Sequence, residues 1–232
     1  MKKISVLINL GICLLLLISS CKKPGPTESV RNFPATNFNR LESAGLLNIQ
    51  VMRSNSFSVI AEGNARDINK LKAEVINGRL KIGYIDVQPN IASKVIITMP
   101  VLDEFDFSDR VQATISGFTQ ASEVEGRLNE FAKATIQMNV SQFTAEAKNN
   151  SELTLKGQAE KVYVAAEENS LVNAYDIASV FGRALAYKNS TIKIQVSHTL
   201  NASATDKSTI YFKGNPQNRF TSELGNSQII EE

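Results

Sequence analysis

A nine-residue pattern returns four times in the second half of the chain. It reads "NNSELTLKG" at 149–157, "ENSLVNAYD" at 168–176, "KNSTIKIQV" at 188–196 and "DKSTIYFKG" at 206–214. Aligned on Ser151, Ser170, Ser190 and Ser208, the repeats are spaced by 19, 20 and 18 residues. Two positions after the serine stand Leu153, Val172, Ile192 and Ile210, and four after it Leu155, Ala174, Ile194 and Phe212. Four positions before it stand Ala147, Ala166, Ala186 and Ala204, and six before it Ala145, Val164, Ala184 and Ala202. Apolar residues therefore alternate with polar ones on both sides of the serine, which is the period of a strand. Strand alternation inside a long, even repeat predicts an all-β solenoid. Each repeat is one coil, and successive coils are joined by strand hydrogen bonds about 4.8 Å apart. One coil cannot bury its own apolar face, so the fold requires the repetition. The alanine columns predict a core that is tight on one side. Upstream, the alignment places Ala134 and Val111 in the serine column, with looser spacings of 17 and 23. Asn150, Asn169 and Asn189 precede the serines, where asparagine suits a left-handed corner; Lys207 takes that place in the fourth repeat.

The opening of the chain obeys a different logic. A basic "MKK" leads into the apolar run "ISVLINLGICLLLLI", then Ser19, Ser20 and Cys21. This is the layout of a secretory leader, and its "LISSC" ending resembles a bacterial lipobox. Residues 1–20 are read as a lipoprotein signal peptide and Cys21 as the lipidated residue that ties the protein to the membrane. The apolar run is short for a spanning helix, which needs about 20 residues. Cys13 leaves with the leader, so no thiol pair remains for a disulfide. Residues 21–32 contain Pro24, Gly25 and Pro26 and are read as a flexible tether. Lys22 and Lys23, rather than Asp, follow Cys21, and no acidic run comes after. That pattern points to an outer-membrane lipoprotein facing the periplasm rather than the cell surface.

Without Lys2 and Lys3 the basic residues equal the 23 acidic ones. A balanced charge leaves no footprint for nucleic acid. Residues 33–102 are expected to form ordinary strands and hairpins. "NARDINKL" suggests a helical turn, and Asn77-Gly78 in "EVINGRLKI" is a two-residue hairpin signal because both positions favour φ > 0. Residues 103–216 are expected to carry the coils, and 217–232 a C-terminal tail.

These segments resemble the GIN-domain (DUF2807) family, described as putative auto-transporter adhesin head domains and found mostly as Bacteroidetes secreted proteins or lipoproteins. The resemblance covers roughly 33–216. It rests on "FNRLESAGLLNIQVMRS", "LKAEVINGRLKI", "VIITMPVLDEFDFSD", "ATISG" and "STIYFKGNP". The family repeats an "SG" motif, which here is complete only at Ser116-Gly117. The family's closing motif is matched by Ile210, Phe212, Gly214 and Pro216, with Phe212 in the usual Tyr place. The resemblance implies a right-handed β-helix-like solenoid and supplies no catalytic residues.

The side chains themselves give little support to catalysis. His198 is the only histidine, so a multi-histidine zinc site cannot be built, and no nucleophile elbow surrounds it. The serine column is read as turn hydroxyls bonding backbone. No phosphate-binding glycine loop is present. Asp103, Glu104, Asp106 and Asp109 raise calcium binding or carboxylate catalysis, but Phe105 and Phe107 interleave them as a strand would, which turns some of these acids to solvent. No cofactor and no metal is expected. Three classes remain. The first is a binding or adhesion module for a glycan or an envelope protein. The second is a structural subunit that forms homo-oligomers, and the third a β-helix enzyme acting on polysaccharide. For the first class the alignment nominates one outward sheet face. Its first column is Thr154, Asn173, Lys193 and Tyr211, and its second is Lys156, Tyr175, Gln195 and Lys213. Asn173, Tyr175, Lys193, Gln195, Tyr211 and Lys213 are the candidate ligand-binding residues, because tyrosine rings offer sugars an apolar platform and amides bond hydroxyls.

Overall fold

The computed structural model describes residues 28–86 and 89–232. Cys21, the leader and most of the expected tether lie outside the described residues. In chain order the strands are β1 (Glu28–Phe33), β2 (Arg40–Ala44), β3 (Leu47–Arg53) and β4 (Ser58–Asn64). After the single-turn helix α1 (Ala65–Ile68) come β5 (Leu71–Ile76), β6 (Arg79–Tyr84), β7 (Ser93–Met99) and β8 (Glu104–Ser108). Five long strands follow: β9 (Gln112–Leu128), β10 (Lys133–Ala147), β11 (Glu152–Ala166), β12 (Leu171–Ala186) and β13 (Thr191–Ala204). The chain then runs through β14 (Thr209–Lys213), β15 (Asn218–Glu223) and β16 (Gln228–Glu231).

The molecule is an all-β solenoid of about seven turns. Each long strand bends midway and so contributes to two faces. Its first leg stacks in the order β1-β4-β7-β3-β9-β10-β11-β12-β13-β14-β16. On the second face β5, β6, β2 and β8 lead to the second legs of β9 to β13, and β15 follows. Neighbouring coils run parallel, residue against residue: Leu153 lies beside Val172, Val172 beside Ile192, and Ile192 beside Ile210. The expected inward columns are all buried, and Ala166 stacks directly on Ala186, both fully enclosed.

Three segment boundaries differ from expectation. Pairing is already present at Glu28, inside the expected tether, where β1 lies antiparallel to β4. The stacking of coils begins at β2 and β3 rather than at residue 103, because β2 lies parallel to β8 and β3 parallel to β9. Residues 217–232 also form a coil rather than a tail, with β15 on β13 and β16 on β14. The first two extensions show only in the spatial pairing, whereas the last also continues the repeat, with Ser227 and Ile229 standing 19 residues after Ser208 and Ile210. The hairpin at Asn77-Gly78 is present, with φ of 50° and 75° joining β5 to β6.

Corners follow a fixed backbone rule. Two consecutive left-handed residues stand at Asp109-Arg110, Glu130-Phe131, Asn149-Asn150, Glu168-Asn169, Lys188-Asn189, Asp206-Lys207 and Gly225-Asn226. The asparagine before Ser151, Ser170 and Ser190 is the second residue of this pair, and Lys207 holds the same place before Ser208. A left-handed φ is uncommon for Phe or Lys, so stacking must compensate. It does so through backbone bonds that link corner to corner, such as Asn150 N–H to Glu168 O at 2.9 Å and Lys207 N–H to Gly225 O at 2.8 Å.

Candidate functional site

The serine column is structural. Ser151, Ser170, Ser190 and Ser208 are buried. Each hydroxyl of Ser170, Ser190, Ser208 and Ser227 accepts from the backbone N–H of the serine one coil earlier, at 3.1–3.3 Å. A buried N–H must find a partner, and here the next coil supplies it. Upstream, Val111 stands in the serine column as expected, and Ala134 does not. Ala134 lies beside Leu153, so the residue level with Ser151 is Ala132, not Ala134. Ala132 has no hydroxyl, and its own N–H turns instead to Asn129 O, as Val111 N–H does to Ser108 O. Ser151 Oγ therefore has no neighbour to serve and is buried without a hydrogen-bond partner.

The acidic strand β8 also resolves into structure. Phe105 and Phe107 point inward and are fully buried, 5.4 Å apart between ring centroids. Gly126 on the next coil leaves the space that Phe105 fills; a Cβ there would sit 2.1 Å from the ring. Glu104 meets Arg79 at 2.6 Å and Arg127 at 2.5 Å. Burial works against its charge, but the hydrogen bond from Arg127 and the charge of Arg79 outweigh it and hold the carboxyl below its usual range. Asp106 is pushed the other way, mainly by burial. Among the described residues no three His, Cys, Asp or Glu side chains form a group that could hold a metal ion. His198 packs edge-on against Phe181 at 5.8 Å.

The nominated sheet face is assembled in part as expected. Thr154, Asn173, Lys193 and Tyr211 do form one column. The second column does not: Lys156 lies beside Asp176, and only Gln195 and Lys213 keep their places. The cause is the longest of the aligned repeats. Ala174 and Ile177 stay buried in the core, and the surplus residues of β12 leave the ladder as a bulge between Ala174 and Ser179. A bulge re-aims a side chain, and this one carries Tyr175 out of register. Asn173 Oδ1 accepts from Tyr175 N–H at 3.3 Å and supports the turn.

The displaced ring still joins the cluster. Lys213 Nζ lies 4.5 Å from the Tyr175 ring centroid, and Lys193 Nζ lies 5.6 Å from the centroids of both Tyr175 and Tyr211. These are ammonium–ring contacts of the cation–π kind. Tyr175 Oη donates to Glu232 Oε2 at 2.9 Å. Burial, then this bond and the carboxylate charge, raise the Tyr175 hydroxyl well above its ordinary pKa. Glu232 is the member that sequence reasoning missed, since it lay in a segment read as a tail. Its backbone N–H bonds Phe212 O at 2.9 Å, which continues the ladder and delivers its side chain to the face. A shallow groove of about 720 Å³ follows the mid-coil bend and borders this face at Gln195; Asn139, Val140, Gln158, Ala159, Ser179 and Val196 also line it.

Fold and site together define a β-solenoid that presents an aromatic and cationic patch on a flat sheet. Residues 37–216 match the family described as putative auto-transporter adhesin, head GIN domain. The chain belongs to that family. It is similar to the crystal structure of a putative adhesin from Bacteroides fragilis NCTC 9343, with TM-score 0.84, 16% identity, and 90% of this chain and 99% of that one covered. A putative adhesin from Parabacteroides distasonis ATCC 8503 aligns with TM-score 0.73 at 12% identity, over 90% and 98% of the two chains. A protein from the same organism titled putative lipid binding protein aligns with TM-score 0.70 at 15% identity, again over 90% and 98%. At these identities the likeness is one of fold. No curated protein matches the chain.

Proposed function

We propose that this protein is a non-catalytic binding module of the cell envelope, tethered by lipid on Cys21, and that it holds a glycan or an envelope protein on the Tyr175–Tyr211 face. Family and neighbouring structures named for adhesion or lipid binding support a binding role. The observation that carries the choice of face is the placement of Lys193 between two tyrosine rings of different coils. Rings offer a sugar an apolar surface and retain a polar hydroxyl tip. Asn173 and Gln195 stand beside them with amides that can donate and accept. Lys22 and Lys23 after Cys21, with no acidic run beyond them, support a periplasm-facing place on the outer membrane. The lipid anchor is put to the first test by Cys21→Ser, which should move the protein out of the membrane fraction.

The face itself is tested with Tyr175→Ala combined with Tyr211→Ala. The double variant should fold with nearly the parent's thermal transition and lose binding across a glycan array. A folded double variant that keeps every array signal of the parent would clear this face of the role.

A further inference from the structure

On the reading that the Tyr175–Tyr211 face is the binding surface, we propose that its ligand is an acidic saccharide of the uronate class, and that Glu232 occupies the ligand carboxylate's position in the unliganded protein. Three observations converge on this. First, the two ammonium groups of the patch are unneutralised. Lys81, Lys94, Lys133, Lys148 and Lys188 each hold a carboxylate. Lys193 and Lys213 hold none among the described residues, as is also true of Lys70, Lys156, Lys161 and Lys207, but these two alone of the described lysines lie over aromatic rings. Second, the hydroxyl at the centre of the patch is already engaged by a carboxylate. Tyr175 Oη donates to Glu232 across 57 residues of sequence. Third, that carboxylate is placed by the fold, because the Glu232 backbone is held on Phe212 O.

A phenol that donates to a carboxylate, on a face that also carries two ammonium groups and two aromatic rings, matches the chemistry of a uronic acid. Such a sugar pairs an ionised carboxylate with an apolar ring face. A hydrogen bond to an ionised acceptor is about twice as strong as a neutral one, and the tyrosine rings take the C–H face. A phospholipid headgroup would satisfy the ammonium groups but would leave the two ring platforms without a partner.

Competition from within the chain sets the expected numbers. If Glu232 fills the position about nine-tenths of the time, the apparent affinity is lowered roughly tenfold. Isothermal titration with tetragalacturonate, and with a neutral tetrasaccharide as control, reads this directly. Glu232→Gln should tighten tetragalacturonate binding about tenfold and leave the neutral sugar unchanged. Lys193→Ala with Lys213→Ala should abolish the acidic signal, and added salt should weaken the parent's binding as it screens the charges. Unchanged or weaker tetragalacturonate binding by Glu232→Gln would overturn the proposal. So would binding to phosphatidylglycerol vesicles without binding to tetragalacturonate. If a neutral sugar binds and is lost with Tyr175→Ala and Tyr211→Ala while the uronate is ignored, the face stands and the acid class falls. If uronate binding persists in that tyrosine variant, the face itself is wrong.

Discussion

In the coils formed by β10 to β14, the inward positions of the second leg hold Phe143, Val162, Gly182 and Leu200 in one column. The next column holds Ala145, Val164, Ala184 and Ala202, and the one after it Ala147, Ala166, Ala186 and Ala204. The coil that follows has the same backbone path, and in the same columns it holds Arg219, Thr221 and Glu223. On its first leg Ile229 still extends the column of Ile210, and Glu231 takes the place level with Phe212. The ladder is indifferent to this change, since Leu224 N–H still reaches Ala204 O and Gln228 N–H still reaches Ser208 O, each at 3.0 Å. What differs is what covers the column. An interior position is sandwiched between two coils, whereas all of β15 is exposed. Arg219 and Glu231 join across the final coil by two guanidinium–carboxylate contacts, one at 2.8 Å, and the guanidinium lies 5.2 Å from the Phe212 ring centroid. Backbone pairing thus propagates the coil, while side chains decide whether a coil continues the apolar core or lids it with charge.

The sharpest way to break that comparison is to place glutamate one coil too early. Ala166 stands in the column that ends at Glu223, but it is fully buried between Ala147 and Ala186. Ala166→Glu should cost about 1–3 kcal/mol from overpacking alone, and several more from an unpaired buried charge. Thermal and urea denaturation would show it, and parental stability in this variant would contradict the assigned register.

A middle-sized effect separates two serines that look alike. Ser170→Ala strands the buried N–H of Ser151 and should cost about 1–3 kcal/mol, the penalty for an unsatisfied buried donor. Ser151→Ala deletes a hydroxyl that bonds nothing and should be neutral or slightly stabilising. Equal losses in the two urea titrations would mean that the hydroxyl ladder contributes nothing.

Arg219→Ala probes the lid itself. It removes a partly exposed ion pair and a ring contact, together worth about 1 kcal/mol. The change should appear as faster amide exchange in β15 and β16 with little effect on β11. Uniform loss of protection across all coils would show that the final coil is not a separable lid.

The smallest effect belongs to Glu167, one place beyond Ala166. It faces Lys148 and Lys188 at the surface. The hydrogen bond from Lys188, ahead of a small opposing desolvation, holds its carboxyl below the usual range. That shift contributes stability above the unfolded pKa, and the contribution is lost as pH falls through the folded one. Exposure leaves little of it, so Glu167→Ala should move Tm by less than about 2 °C at neutral pH. A loss near that of Ala166→Glu would again put the register in doubt.

Much of this was legible in the amino acids themselves. Four serines in step, with apolar residues at fixed offsets, determine parallel coils with Ala166 over Ala186. Period and alternation are local properties that every coil states for itself. Asn77-Gly78 determined its hairpin for the same reason, since the φ demand resides in two adjacent residues. Only the tertiary structure decided which residue answers which across coils. Ala132 rather than Ala134 continues the serine column, because hydrogen-bond register follows space and not the best sequence match. Tyr175 leaves its column because buried Ala174 and Ile177 hold the core and the surplus length can escape only outward. Glu232 reaches Tyr175 because one more coil is stacked on β14: Asn226, Ser227 and Ile229 repeat the corner pattern, with Ser227 standing 19 residues after Ser208, but Glu231 breaks the apolar alternation level with Phe212, and only the pairing in space shows that the ladder runs on.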